Sequence, residues 1–254
     1  MPTKISATVI TYNEEQNIRR CLESLAWADE IVVVDSMSAD RTVGICREFG
    51  AKVIQRPWPG HVRQKNFAME QASHQWVISL DADEQLSAPL KEEIMALRES
   101  EALGKKGIAG YYMPRRTQYL GQWINHCGWY PDRKLRLFDK TRCRWGGDDP
   151  HDSIICDGRT DCLKGDILHY SFPGISSHLA TIDNFTTIAA RGLKAANRKA
   201  SLWDIVLRPP FTFFKMYVLS MGFLDGLPGL AVCVLSACHV FVKYVKLWEY
   251  WRES

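Results

Sequence analysis

The sequence predicts an α/β fold built on a mostly parallel central sheet flanked by helices. Two observations carry this expectation. Short apolar runs alternate with helical patterns of about a dozen residues through positions 4–80, the signature of βαβ units. Polar residues also cluster where the apolar runs end, at 11–14, 35–36 and 81–83, and ligands of such sheets sit at the carboxyl ends of the strands.

Lys4–Ile10 reads as a buried strand, and Glu14–Ala26 as a helix with Ile18, Leu22 and Leu25 on one face. Glu30–Val34 is a second apolar run that ends at Asp35. Ala39–Phe49 is helical again, and Ala51–Ile54 is a third strand. His61–Ala72 forms a third helix before the strand Trp76–Leu80, which ends at Asp81. After Gly107 the pattern changes. Tyr111–Arg116 and Leu135–Phe138 read as strands around an aromatic segment with Tyr119, Trp123, Trp129 and Tyr130. The stretch Trp145–Asp152 is too polar and glycine-rich for regular structure and reads as a loop. Asp166–Phe172 is a short strand, and Ser176–Ala200 is helical.

A chain of 254 residues buries one substantial core with room for an appendage. Its 46% hydrophobic and 24% charged content excludes disorder. From Arg191 onward nine Lys and Arg stand against four Asp and Glu. This basic, apolar tail suits an anionic membrane surface better than nucleic acid. None of the eight cysteines forms a Cys-x-x-Cys pair, so reduced core thiols of a cytosolic protein are expected. The N-terminus runs directly into a strand and does not read as a signal peptide, which puts the body in the cytosol.

No Gly-x-Gly-x-x-Gly follows the first strand, and no Walker-type Gly-Lys-Ser/Thr occurs. Dinucleotide oxidoreductases and P-loop NTPases are thereby disfavoured. Asp81-Ala82-Asp83 offers another way to neutralise phosphates. Two carboxylates one residue apart at a strand exit can share Mg²⁺ or Mn²⁺, which bridges diphosphate oxygens.

Thr11-Tyr12-Asn13-Glu14-Glu15, Val34-Asp35-Ser36 with Asp40, Lys65-Asn66, and Asp81-Ala82-Asp83-Glu84 together resemble family 2 glycosyltransferases of GT-A fold. The likeness covers roughly residues 4–190. Arg56–Gly60, Gln64–Asn66, Gly128–Pro131, Pro150–Asp152 and Gly222–Gly229 further resemble bacterial lipopolysaccharide inner-core glucosyltransferases of the WaaE type. The resemblance implies an inverting, metal-dependent hexosyltransferase with a UDP-sugar donor and a lipopolysaccharide inner-core heptose acceptor. Transfer to polyprenyl phosphate or another cell-surface glycan is the enzymatic alternative. A membrane-associated sugar-binding adaptor is the non-enzymatic one, and a sugar-1-phosphate nucleotidyltransferase is disfavoured by Tyr12–Glu15 after the first strand.

By resemblance, Thr11, Tyr12, Asn13 and Glu14 form the loop that holds uridine, and Asp35 accepts the uracil imide beside Ser36. Lys65 lies along the nucleotide, where many members carry Arg. Asp81 and Ala82 belong to the diphosphate end, and Asp83, Asp81 and His169 hold the metal. His169 reads equally as structural. The base is Asp152, with Asp149 as runner-up and His151 orienting base or acceptor. Trp123, Trp129, Tyr130 and Trp145 stack on sugars or simply pack.

The expected layout is a GT-A domain over 1–200, with a nucleotide-binding half at 1–106 and an acceptor half at 107–200. A membrane-association segment follows at 201–254, on the cytoplasmic face of the inner membrane. The apolar run Phe211–Val242 is broken at 225–229 into pieces of roughly 14 and 16 residues, each short of the ~20 that span a bilayer. A hairpin in the interface fits that pattern, and a buried oligomer interface is the alternative.

Overall fold

The computed structural model describes residues 2–147, 152–172 and 174–252. The chain divides into two compact units, one of residues 1–115 and 132–170, the other of 116–131 and 171–254.

In the first unit, β1 (Ile5–Thr11), β2 (Glu30–Asp35), β3 (Lys52–Gln55) and β4 (Trp76–Asp81) run parallel in the order β3-β2-β1-β4. Their connections carry α1 (Ile18–Leu25), α2 (Thr42–Glu48) and α3 (His61–Glu70). Consecutive valines 32–34 are all buried, as both covered faces of a parallel sheet require. Helix α1 begins at Ile18 rather than Glu14, because Glu14–Asn17 forms a turn in which Asn17 Nδ2 donates to Glu14.

The chain continues through β5 (Glu84–Leu86), α4 (Ala88–Glu99), β6 (Ile108–Tyr119), β7 (Gln122–Trp123) and β8 (Asp132–Asp139). It then forms β9 (Cys143–Gly146), β10 (Ser153–Cys156), β11 (Arg159–Cys162) and β12 (Ile167–Phe172). The main sheet reads β3-β2-β1-β4-β8-β6-β12-β5. It is parallel over β1–β4 and mixed beyond, since β8 runs antiparallel to both β4 and β6. Short links suffice for antiparallel neighbours, whereas parallel ones need crossovers. Helix α4, unread in the sequence, is capped by Ser87 Oγ accepting from Leu90 N.

The stretch read as a loop is partly regular. Trp145 and Gly146 lie in β9, which pairs with β10 as a hairpin. That register opposes Cys143 and Cys156, and they are joined by a disulfide, contrary to the reduced thiols expected. Thirteen residues of separation hid the pair, whose Cα atoms lie 4.1 Å apart. Cys21, Cys46, Cys127 and Cys233 are free and buried as expected.

The second unit holds α5 (Ile175–Ala195), α6 (Leu202–Val206), α7 (Arg208–Phe214) and α8 (Gly226–Arg252). A π-helical turn at Lys215–Leu219 and a 3-10 turn at Gly222–Asp225 separate α7 from α8. The sequence put the break at 225–229, but Gly226–Gly229 already belong to α8 and the break precedes them, so the second piece is longer than expected. Helix α8 has 27 residues, because the more polar 243–252 continues the helix beyond the apolar run. Gly222–Arg252 is therefore long and apolar enough, by length and composition alone, to cross a membrane. One core of this unit joins Tyr119, Ile124 and Cys127 to Val232 and Cys233. Another joins Ala190 to Tyr244 and Leu247. Asp225, almost fully buried, accepts from the main-chain N–H of His126 and pairs with its Nδ1 at 2.9 Å.

Helix α8 starts against the turn before it, and a Cβ at Gly229 would meet the Gly222 carbonyl oxygen at 2.2 Å. Gly229→Ala is expected to destabilise the unit by about 1–3 kcal/mol through overpacking. Gly192→Ala, in α5 with nothing within 4 Å of its Cβ, should instead stabilise it by about 0.5–1 kcal/mol. Thermal unfolding of both variants checks this. Equal midpoints would mean the Gly229 approach is not fixed.

Candidate active site

The site lies at the carboxyl ends of β1, β2 and β4, where two loops are knitted together. After β1, Asn13 takes a left-handed conformation, φ 52°. Its N–H donates to Ser38 Oγ, and its side-chain oxygen accepts from Ala39 N. Glu14 N donates to Thr42 Oγ1, and Glu15 N donates to Asp40. Asp40 thus holds the loop together. Asp35 is fully buried, and its carboxylate accepts from Ser38 N–H, the Ser38 hydroxyl and Gln55 Nε2. Ser36 is buried and accepts from Gln64 Nε2, while Tyr12 stands exposed on the rim.

Beyond β4 the side chains form a charged network. Lys65, 4% exposed on α3, lies 2.9 Å from Asp81 Oδ1 and 2.8 Å from Asp152 Oδ2. Its Nζ also lies 4.5 Å from the centre of the Trp145 ring. The second Asp81 oxygen pairs with Arg136 at 2.8 Å, and Arg136 reaches Glu84 Oε1 at 3.0 Å. Arg115 joins Glu84 to Asp132. Burial pushes the Asp81 and Glu84 carboxyls up, but the guanidinium and ammonium groups beside them win, so both lie below the usual range. Asn66, next to Lys65, exchanges two hydrogen bonds with the Trp145 backbone and ties the hairpin to α3.

A different pairing brings in His169. Strand β12 runs antiparallel to β5 with His169 opposite Glu84, and Tyr170 N donates to Asp83 O. His169 Nε2 then lies 3.1 Å from Asp83 Oδ2. Burial raises the Glu14 carboxyl above its ordinary value, Asn17 partly offsets this, and the Asp83 charge adds to it.

An oxygen and an imidazole nitrogen this close are a suitable partial donor set for Mg²⁺ or Mn²⁺. Both Asp81 oxygens are occupied by cationic side chains, so Asp81 joins such a set only by releasing one. Among the described residues no group of three His, Cys, Asp or Glu side chains is arranged to hold a metal ion. Five buried polar atoms of the described residues lack a hydrogen-bond partner. Four of them, Thr11 Oγ1, Gln64 Oε1, Arg136 Nε and Trp145 Nε1, belong to residues of this site. Buried polar atoms are normally satisfied, so their concentration here fits a polar ligand.

Lys65 thus joins Asp81 to Asp152, His169 meets Asp83 two residues beyond Asp81, and Thr11–Glu14, Asp35 and Ser36 form the adjoining strand ends. Ala82 is buried beneath them. Asp149 and His151 lie outside the described residues. Trp145 is 3% exposed and packs with Phe138 and Val77, so it is core. Trp129 packs on Tyr119 and Phe172 in the second unit. Sequence reasoning missed Arg136 and Arg115. The signal for Arg136 was a lone charge between Leu135 and Leu137 in an apolar strand, which demands a buried counter-ion.

The family model described as Glycosyl transferase family 2 matches residues 6–148. An uncharacterised glycosyltransferase of Rickettsia conorii is 31% identical over 97% of this chain and 90% of its own length. The lipopolysaccharide core biosynthesis glycosyltransferase LpsC of Rhizobium meliloti is 26% identical, covering 96% of this chain and 92% of LpsC. Among solved structures, the mannosyltransferase PcManGT of Pyrobaculum calidifontis, in complex with GDP-Man and Mn²⁺, superposes with a TM-score of 0.56. Identity there is 14%, over 100% of this chain and 90% of that one. The fold is the GT-A fold anticipated from the sequence.

The Glu84 carboxyl, held down by Arg136 and Arg115, sets a pH dependence. Its ordinary value is 4.5 and its folded value is about 2. The stabilisation is complete above the ordinary value and is lost as pH falls toward the folded one. Glu84→Gln should cost about 3 kcal/mol at neutral pH, since it removes the carboxylate shared by two guanidinium groups and leaves Arg136 with Asp81 alone and Arg115 with Asp132 alone. Its deficit in chemical unfolding should narrow as pH drops below 4.5. A deficit independent of pH would show that charge is not its source.

Proposed function

The chain belongs to glycosyl transferase family 2, and from that membership we propose an inverting hexosyltransferase. It moves glucose from a UDP-sugar to a heptose hydroxyl of the lipopolysaccharide inner core, at the cytoplasmic face of the inner membrane. The relative LpsC, similar over nearly its whole length, supports a lipopolysaccharide core acceptor. The observation that carries the chemistry is the pair of contact sets at the end of β4, His169 with Asp83 and Lys65 with Asp81 and Asp152. It puts a metal-compatible pair and an oriented carboxylate at the strand ends that open α/β sheets use for ligands.

In this reading the loop Thr11–Glu14 and the Asp35–Ser36 turn hold uridine. Asp35 is oriented by three hydrogen bonds from Ser38 and Gln55, and its Oδ1 keeps an acceptor site for the uracil imide. Asp83 and His169 would hold a divalent cation, whose charge offsets that of the departing diphosphate. Asp81 keeps Lys65 and Arg136 facing the phosphates. Residues 1–106 serve the nucleotide, 107–200 the acceptor, and 201–254 the membrane surface.

Asp152 is the proposed base. Lys65 holds its Oδ2, and Oδ1 takes the acceptor proton as the hydroxyl oxygen bonds the anomeric carbon. The bond to the UDP oxygen breaks on the opposite face, and UDP leaves with the electron pair. Asp149 and His151 are the alternatives in the same stretch.

A donor screen that reads UDP release, against acceptors truncated at successive core sugars, tests the whole reading. Release with no donor on any heptose-bearing acceptor would sink it.

Two variants separate the roles. Asp152→Asn should leave UDP-sugar affinity nearly unchanged and slow turnover by about 10²–10⁴-fold, the range for a lost general base. Full activity in that variant moves the base elsewhere. His169→Ala should weaken Mn²⁺-dependent UDP binding, measured by calorimetry, while metal-free UDP binding stays as it was. Unchanged Mn²⁺ titrations would leave His169 a structural residue.

A further inference from the structure

The second unit carries large apolar side chains on its outside. Along α6, α7 and the turns after them, Trp203, Val206, Phe211, Phe214, Leu219 and Leu224 are all exposed, Trp203 by 70%. On α8, Leu227, Val234, Phe241 and Trp248 are exposed at every seventh position. That spacing lines them up along one face of the helix. The opposite face, with Gly229, Val232, Cys233, Tyr244 and Leu247, is buried. Apolar exposure on this scale marks an interaction surface.

Charge selects the occupant. Between Asp183 and Glu249 the sequence has only two acids, Asp204 and Asp225. Both are turned inward, 7% and 2% exposed. Asp204 accepts from Ser201 N and Oγ and pairs with Arg208, while Asp225 accepts from the backbone at 125–126. Of the eight cations in the same stretch, Lys194, Lys243 and Lys246 are half-buried, while Arg198, Lys199, Arg208 and Lys215 are among those exposed. From Arg198 to Trp248 the outward surface is therefore apolar and cationic with its carboxylates withdrawn, and the exposed Glu249 beyond it is followed within a turn by the exposed Arg252.

We propose that this face docks the chain on an anionic lipid surface by entering a single leaflet. The aromatic and aliphatic side chains sit among acyl chains, and the four cations meet headgroup phosphates. Helix α8 lies along the interface and does not cross it. Arg208 stacks 5.3 Å from the Tyr244 ring, and Met216 and Tyr217 pack with Val232 and Cys233. The segment from Arg208 to Tyr217, with exposed Lys215, thus runs beside the middle of α8. A crossing helix would drag those charges into hydrocarbon, which strongly disfavours them. This deepens the proposed glycolipid transfer by naming how the enzyme reaches its acceptor. Vesicle binding is read without donor or acceptor, so it fails or succeeds independently of that reading.

The test is flotation of the full chain with vesicles of phosphatidylcholine alone or mixed with phosphatidylglycerol. Binding should be at least about tenfold tighter on the mixed vesicles and weaken with salt. The variant Trp203→Ser/Phe211→Ser/Leu219→Ser should lose flotation while keeping its circular dichroism and UDP binding. Lys199→Gln/Lys215→Gln should lose mainly the preference for phosphatidylglycerol. Alkaline carbonate should release the wild type from cell membranes. The proposal is overturned by equal binding to both vesicles, by no binding, or by a triple variant that still floats. Retention in carbonate would mean that α8 spans. A lipid-free dimer that the triple variant dissociates would make the face a protein interface.

Discussion

The Lys65 ammonium, buried and shared between Asp81 and Asp152, is the contact on which the rest of the site depends. A buried ammonium is tolerated only when carboxylates surround it. This one fixes three elements at once: α3, the end of β4 and the entrance to β10. Arg136 makes the matching contact on the other side of Asp81 and passes the constraint to Glu84. Neither Asp81 nor Asp152 can shift without uncovering a charge. The geometry is therefore set by electrostatic satisfaction as much as by packing.

That network also separates the acids by partner. Asp81, Glu84, Asp132 and Asp152 are paired with Lys or Arg. Asp35 and Asp40 are held by N–H and O–H donors and shape the loops. Among the described residues, Asp83 and Glu14 have neither Lys nor Arg as an ion-pair partner. Asp83 meets only an imidazole, and Glu14 is pushed toward its neutral form by burial and by Asp83 itself. Negative charge without a fixed cation is concentrated at that one point. A divalent ion with a diphosphate would complete it.

How far the sequence reveals this depends on the range of each interaction. Strands β1–β4 and helices α1–α3 follow from hydrophobic periodicity, which is local, and the ends of β2 and β4 show themselves by their aspartates. His169 was recognisable as a polar residue at the end of a late strand, but its meeting with Asp83 needed the β12–β5 register. The Lys65–Asp152 pair joins positions 87 residues apart, and no local pattern encodes it. Arg115 lies in a strand whose apolar run is interrupted anyway, so nothing marked it as a partner of Glu84. The length of α8 was misjudged for a simpler reason. The apolar count stops at Val242, but helical hydrogen bonding does not require apolar residues and continues to Arg252.

The two units handle their acids by opposite logic, and the contrast follows from what each surface must meet. In the first unit, buried carboxylates gather cations inward and leave Asp83 and Glu14 facing a small region. In the second, Asp204 and Asp225 are spent on a helix start and on the 125–126 backbone, which frees the cations around them to point outward. Arg208 touches Asp204 at 2.6 Å yet remains about half exposed. Its charge is anchored at one end and available at the other. An acid left on that surface would repel anionic headgroups and cancel a neighbouring cation. Burying Asp204 behind Ser201 and Arg208, and Asp225 behind the 125–126 backbone, removes that cost without adding a single basic residue. A near-neutral chain thereby presents a cationic face, which its net charge of +3 does not reveal.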